Sequence, residues 1–184
     1  MKIYTRKGDD GTTGLLFGGR ADKDSEAIEL NGAVDEAQAA LGWARSLCHH
    51  DETMNLVIMG LERDLWILMA EVATKLENRE KLEIGRTRVS QDMIDDLESR
   101  IDEANRTVEM PTEFVVPGEN QLSAALDVAR TVVRRAERTA VTWDVDDSLV
   151  VPYLNRLSDL VWTLARVAEG SAHRTARSMN KEAP

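Results

Sequence analysis

Residues 52–76 read ETMNLVIMGLERDLWILMAEVATKL, in which Met54, Ile58, Leu61, Leu65, Leu68 and Val72 step by four and three. That spacing gathers one apolar stripe on one side of an α-helix. Trp66 and Met69 widen the stripe, which predicts that this second helix is the most buried of the fold. The same stepping recurs on both sides of it. Upstream, a helix begins near Asp24 and Ser25, either of which can cap its free N–H groups, and carries Leu30, Val34, Ala37, Leu41, Ala44 and Cys48 inward. Gly32 and Gly42 lie inside that helix. Each costs about 1 kcal/mol against Ala, so close approach of a neighbour or a ligand is expected there.

Downstream, the charged run 77–87 contains Gly85, has no period and reads as a surface loop. Ser90 can cap a third, shorter helix with Ile94, Leu97, Ile101 and Ala104 as its stripe. Residues 110–118, MPTEFVVPG, hold two prolines that exclude a regular helix, and Pro117-Gly118 turns the chain into a fourth helix near Asn120. That helix turns Leu122, Leu126, Ala129, Val133, Ala136 and Ala140 inward. A fifth spans about 151–178 with Leu154, Leu157, Val161, Leu164 and Ala168. The expected architecture is all-α, an antiparallel five-helix bundle. Neither a repeat nor a composition break divides it, so 1–184 is read as one domain: a loop at 1–23, the bundle at 24–178 and a frayed tail at 179–184.

Composition agrees with that reading. Hydrophobic residues make up 42% and charged residues 30% of the 184 residues, with aromatics at 4% and only four prolines, a helical and globular balance. A net charge of −10 argues against general binding to nucleic acid or to anionic membranes. An anionic ligand would need a local cluster of cations. The single cysteine, Cys48, excludes an internal disulfide framework, fits a reducing compartment and reads as a small buried residue on a helix. No N-terminal apolar region and no run of 18 apolar residues occurs, so neither a signal peptide nor a membrane span is expected. A cytoplasmic location follows.

Such a cation cluster opens the chain. Residues 5–14, TRKGDDGTTG, lead to Gly18, Gly19, Arg20 and Lys23. Glycines allow backbone N–H groups to turn inward as an anion-binding nest, and hydroxyls and cations add directed donors. This chemistry suits a polyphosphate, although no G-x-x-x-x-G-K-[ST] loop is present. The same residues equally suit a flexible, solvated arm.

A second cluster lies on the fourth helix, at residues 130–138, RTVVRRAER. Arg130, Arg134 and Glu137 fall at i, i+4 and i+7, on a face bordering the apolar stripe. There Glu137 can fix Arg134 at i,i+3 and leave guanidinium donors aimed at carboxylate or phosphate. An exposed intrahelical ion-pair ladder would look the same. Asp35, beside Val34 in the first helix's stripe, is the natural counter-charge for Arg130. Asn155, in the run Asn155-Arg156-Leu157-Ser158-Asp159, is either an ordinary solvated residue or directed at a ligand.

Metal chemistry finds little support. The three histidines are His49, His50 and His173, and Glu169 with His173 occurs once at a spacing of four, against the paired Glu-x-x-His of di-iron bundles. No metal-ligating set and no nucleophilic triad is expected.

Taken together and in order, six runs are specific: TRKGDDG-x-T at 5–13, GR-x-x-KD at 19–24, G-x-VDE at 32–36, FVVPG at 114–118, ARTVVRRAER at 129–138 and NRLSD at 155–159. Over about residues 3–168 the chain closely resembles the PduO-type ATP:cob(I)alamin adenosyltransferases. The resemblance implies a homotrimer with active sites between subunits, where the N-terminal loop of one wraps ATP against the fourth helix of the next. By motif matching it implies that Thr5, Arg6, Lys7, Gly8, Asp9, Gly11, Thr13 and Lys23 enclose the nucleotide, and that Arg130, Arg134, Arg135, Glu137 and Asn155 complete the site. It further implies an intersubunit salt bridge between Arg130 and Asp35. Phe114 would be the aromatic that keeps the lower axial face of the corrinoid unligated.

The implied reaction uses ATP, Mg²⁺ and cob(I)alamin. Reduced cobalt attacks the 5′-carbon and triphosphate leaves, so no protein base is required, in keeping with the lack of a catalytic His or Cys. A corrinoid reductase and an adenosylcobalamin-dependent enzyme are the implied partners. The chain departs from the family pattern at Glu62, Trp66, Ala37-Gln38, Glu119 and Asp127, the last standing where a His is frequent. Glu119 and Asp127 lie toward the expected corrinoid side. A carrier that binds cobalamin or nucleotide without catalysis, and a plain helical interaction bundle, are the alternatives.

Overall fold

Apolar stripes and polar caps set most of the elements. In a computed structural model that describes residues 2–49, 51–143, 145–172 and 174–176, the chain forms two short strands, β1 (Thr12–Gly14) and β2 (Arg20–Asp22). Five α-helices follow: α1 (Glu26–Ser46), α2 (Glu52–Val72), α3 (Gln91–Thr107), α4 (Gln121–Thr142) and α5 (Val150–Glu169). Helix α1 packs against α2 and α4, and α5 packs against α3 and α4. Leu30, Val34 and Leu41 of α1, Ile58, Leu65 and Leu68 of α2, Leu97 of α3, Leu126 and Val133 of α4 and Leu154, Leu157 and Leu160 of α5 share one buried core. Each such side chain taken out of water is worth about 1.5–3 kcal/mol.

Side-chain caps mark three starts. Asp51 accepts from the Met54 N–H at 2.9 Å and Ser90 accepts from the Met93 N–H at 3.3 Å. Asn120 and Ser123 form a reciprocal capping box. At α1 the expectation needs correction: Ser25 holds the cap position, but its hydroxyl donates to the Asp22 carbonyl at 2.7 Å and so ties the helix to β2.

Further corrections concern ends and faces. Helix α2 stops at Val72 rather than at 76, because the Leu16 N–H donates to the Ala73 carbonyl at 2.9 Å and the Thr74 hydroxyl donates to the Ala70 carbonyl at 2.8 Å. The N-terminal segment thus takes over groups that a longer helix would use. The expected loop at 77–87 begins inside a 3₁₀ turn at Leu76–Lys81. Helix α5 ends at Glu169, well short of 178, where Gly170 takes φ +60° and breaks the helix. Ser178 and the tail from 179 lie outside the described residues, as do His50 and His173.

Trp66 is 62% exposed, so it does not widen the buried stripe of α2. The most buried helix is α5, which buries Tyr153 and even Arg166 among its apolar residues. Cys48 is buried, but two residues beyond the end of α1. Of the two helical glycines, Gly42 has the expected close neighbour, since a Cβ there would stand 3.0 Å from a Glu62 carboxylate oxygen, while Gly32 faces open space.

Buried polar groups join the loops to the bundle. Glu71, fully buried, accepts from Arg79 at 2.8 Å, from the Val89 N–H at 2.8 Å and from the Ser148 hydroxyl at 2.9 Å. Two loops are thereby fastened to the C-terminal end of α2. No helix among the described residues is long and apolar enough to cross a membrane.

Candidate active site

The glycine-rich N-terminus is not a featureless loop. Strands β1 and β2 pair antiparallel with Thr12 opposite Asp22, Thr13 opposite Ala21 and Gly14 opposite Arg20. One guanidinium organises the turn: Arg20 donates from Nε to the Thr12 hydroxyl at 2.7 Å and from Nη2 to the carbonyls of Lys7 and Thr12, and it pairs with Asp10 at 3.5 Å. Asp10 also accepts from the Thr12 N–H at 3.0 Å and the Thr12 hydroxyl at 2.8 Å. The Thr12 backbone bond, then the Thr12 hydroxyl, hold the Asp10 carboxyl below its ordinary range, and Arg20 adds to the effect.

Lys23 donates from Nζ to the Gly8 carbonyl at 2.7 Å. A Cβ at Gly8 would meet the Thr12 carbonyl oxygen at 3.1 Å and Lys23 Nζ at 3.2 Å, so only glycine fits comfortably. Thr5, Arg6, Lys7, Gly8, Asp9, Gly11, Thr13 and Lys23 therefore belong to one stapled turn. The turn leans on the end of α2 through the bridge between Leu16 and Thr74. Among the described residues no hydrogen bond or ion pair links it to α4.

The second group of side chains meets where α4 crosses α5. Asn155 donates from Nδ2 to Glu137 at 2.8 Å and accepts from Arg156 Nη1 at 2.7 Å, while Arg156 also pairs with Glu98 at 2.7 Å. The expected Arg134–Glu137 pair is absent among the described residues. Glu137 turns to α5 instead, because Asn155 offers a directed donor from a packed neighbour. Arg134 is exposed, and Arg135 pairs with Glu36 of α1. Asp35 is exposed rather than set in the buried stripe, and no ion pair joins it to Arg130 within the chain.

Arg130 instead donates from Nε to Asp127 at 3.2 Å. Both line a cavity of about 450 Å³ with Phe114, Trp162 and Arg166. Phe114 is 90% exposed at its edge. Its backbone is held in place: the Phe114 carbonyl accepts from the Ala176 N–H at 2.9 Å and the Val116 N–H donates to the Arg174 carbonyl at 2.8 Å. A larger cavity of about 640 Å³ adjoins this one and shares Pro111, Thr112 and Glu113 with it.

Two residues of this wall escaped the sequence reading. Arg166 and Trp162 sit within an apolar helical pattern and read there as ordinary positions of α5. A signal existed in the spacing of Arg166 and Glu169, since a cation inside a buried stripe needs a partner such as an i+3 carboxylate. Among the described residues no group of three or more His, Cys, Asp or Glu could hold a metal ion.

Comparison with known proteins puts these features in a family. The family model described as cobalamin adenosyltransferase matches residues 3–168. A corrinoid adenosyltransferase of Mycobacterium tuberculosis (strain ATCC 25618 / H37Rv) is 42% identical over 174 residues, covering 91% of this chain and 88% of the relative. The corrinoid adenosyltransferase PduO of Salmonella typhimurium is 36% identical over 179 residues, covering 94% of this chain and 51% of the relative. A variant PduO-type ATP:corrinoid adenosyltransferase from Lactobacillus reuteri, solved in complex with cobalamin and ATP, superimposes with a TM-score of 0.79 at 30% identity, covering 91% of this chain and 93% of that one. The family match spans the stapled N-terminal turn, the α4–α5 seam and the Phe114 cavity alike, and the chain belongs to the cobalamin adenosyltransferase family.

Proposed function

We propose that the chain transfers the 5′-deoxyadenosyl group of ATP to the cobalt of cob(I)alamin, forming adenosylcobalamin and triphosphate. The observation that carries this reading is the convergence of Phe114 and Arg130 on one cavity wall, beside a helix that also presents Arg134. In the reaction the cobalt lone pair forms the Co–C bond as the bond from C5′ to the triphosphate oxygen breaks. The leaving triphosphate keeps that bonding pair, and cobalt rises formally from I to III. The chain's task is to hold two large reactants in line and to receive the charge that grows on the leaving group.

The residues divide that work. Thr5, Arg6, Lys7, Gly8, Asp9, Gly11, Thr13 and Lys23 enclose the nucleotide in the stapled turn, whose N–H groups and cations suit phosphate. Arg134 and Arg135 face the triphosphate, and the Asn155–Glu137 pair orients the nucleoside side of the site. Phe114 shields the lower corrin face from a cobalt ligand. Mg²⁺ fits this site as an ion carried by the triphosphate oxygens and water, since no group of three or more His, Cys, Asp or Glu among the described residues could cage it. It would supply further neutralisation of the leaving group.

Among the described residues no hydrogen bond or ion pair links the turn to α4, which supports an assembly in which the turn serves a neighbour's α4. We read the assembly as a homotrimer of single-domain subunits with Arg130 bridging to Asp35 across the interface. The exposure of Trp43 and Trp66, large apolar surfaces on α1 and α2, supports association. A cytoplasmic setting, with a corrinoid reductase upstream and an adenosylcobalamin-dependent enzyme downstream, completes the reading.

The test is anaerobic. Purified protein is mixed with MgATP and chemically reduced cobalamin, and the absorbance change is followed with triphosphate release. Formation of a Co–C bond with stoichiometric triphosphate is expected. If neither appears while cobalamin still binds, the carrier reading replaces the transferase.

A further inference from the structure

Four alternating charges run from the end of α5 into the Phe114 cavity: Glu169, Arg166, Asp127 and Arg130. Arg166 is 2% exposed and Asp127 is 5% exposed. Arg166 donates from Nη2 to Asp127 Oδ2 at 2.6 Å and lies 2.9 Å from Glu169 through Nε. Its guanidinium also stands 5.6 Å from the centre of the Trp162 ring. The other carboxylate oxygen of Asp127 accepts from Arg130 Nε. Each oxygen of Asp127 thus serves a different arginine.

An aspartate three residues before an arginine on a helix is ordinarily a weak, exposed pair. Here the carboxylate is buried and clamped from another helix. Arg166 cannot swing away, because Asp127 and Glu169 hold it from two sides and it sits over the Trp162 ring. Burying such a chain of charges contributes little to stability compared with apolar residues of the same volume. Its position explains it better, since Asp127, Arg130, Trp162 and Arg166 all line the cavity edged by Phe114. Engaging Arg130 through Nε leaves its two terminal amino groups to point onward.

We propose that Asp127 is the positioning residue of Arg130, anchored by Arg166, and that it fixes the direction in which Arg130 presents its guanidinium at the corrinoid side of the site. The proposal rests on the reading of Arg130 as an active-site cation. Asp127 touches neither reactant in this account and acts through Arg130 alone.

A double-mutant cycle with Asp127→Asn, Arg130→Ala and the double variant tests it. Two quantities are measured: kcat/KM for cob(I)alamin, and the dissociation constant of cob(II)alamin with MgATP, read from its visible spectrum, which stays measurable in an inactive variant. Asp127→Asn is expected to cost roughly 10- to 100-fold in the native background, as for one lost charge-assisted hydrogen bond, and less than about twofold in the Arg130→Ala background. An equal loss in both backgrounds would overturn the proposal and leave Arg130's role standing. Native values in Arg130→Ala would remove that role and the proposal with it. If Asp127→Asn does not fold, Asp127→Glu takes its place: the charge is kept, the oxygens move by one methylene, and the same loss of effect without Arg130 is required.

Discussion

The side-chain amide of Asn155 on α5 donates to the Glu137 carboxylate on α4 across 2.8 Å, joining two proposed nucleotide ligands that lie 18 residues apart in the chain. Removing the donor leaves a half-buried carboxylate short of a partner, at roughly 1–3 kcal/mol. Asn155→Ala is therefore expected to lower kcat/KM for ATP by about 10- to 100-fold. Asn155→Asp should be worse, because two carboxylates would then face each other. Steady-state kinetics with ATP varied, at saturating corrinoid, checks both. An aspartate variant as active as native protein would show that the contact does not matter.

Arg134 is exposed on α4, and among the described residues no hydrogen bond or ion pair holds its side chain. Arg134→Ala should cost about 2–4 kcal/mol of barrier, in line with loss of one donor to a developing anion. The assembly size, measured by light scattering, should not change. Full turnover in that variant would exclude Arg134 from the triphosphate site.

Arg20 staples the N-terminal turn by bonding Lys7 and Thr12, without itself being counted among the nucleotide ligands. Arg20→Ala should expose residues 5–14 to protease and raise KM for ATP about tenfold or more, since the order of the turn would have to be established on binding. KM for cobalamin should hold steady. A parallel rise in both constants would point to a wider disturbance.

Glu71 gathers Arg79, Val89 and Ser148 at the buried end of α2. Breaking that hub with Glu71→Ala leaves the half-buried Arg79 guanidinium and the buried Val89 N–H without their acceptor and should destabilise the fold by about 3–5 kcal/mol. Urea unfolding at matched protein concentration measures it. A loss below 1 kcal/mol would mean that water replaces the carboxylate at little cost.

Asp64 accepts from the Tyr153 hydroxyl at 2.9 Å between α2 and α5. Burial raises the Asp64 carboxyl above its ordinary 3.8, and the Tyr153 bond only partly offsets it. Burial, then the Asp64 charge, raise the Tyr153 phenol as well, so Tyr153 stays a neutral donor. With the folded-state value above the unfolded one, Asp64 contributes stability at pH below 3.8 that is lost as pH rises through the raised value. Asp64→Asn keeps an acceptor for Tyr153 and removes the charge. Its stability should match or exceed native protein at about pH 7, with a flatter profile as pH rises above 3.8. Thermal melts across that range check the sign, and a steeper profile would contradict it.

The sequence by itself determined the helices and most of their inward faces, together with the family to which the chain belongs. Steps of four and three are local properties of a stretch of chain, and so are Ser90 and Asn120 as caps and the glycines and cations of 5–23. What the sequence could not determine was the choice of partner. Glu137 had Arg134 within reach on its own helix, yet bonds Asn155, because α4 and α5 pack together and a fixed amide outcompetes a solvated guanidinium. The ends of α2 and α5 were hidden for a related reason. Leu16, distant in sequence, occupies the carbonyl after Val72, and Gly170 ends α5 by its backbone conformation. Trp66 fits the stripe and still faces outward. Only the tertiary structure placed Arg166 and Trp162 on the wall with Phe114 and clamped Asp127 between two arginines, since a buried charge takes its meaning from the neighbours that the fold brings to it.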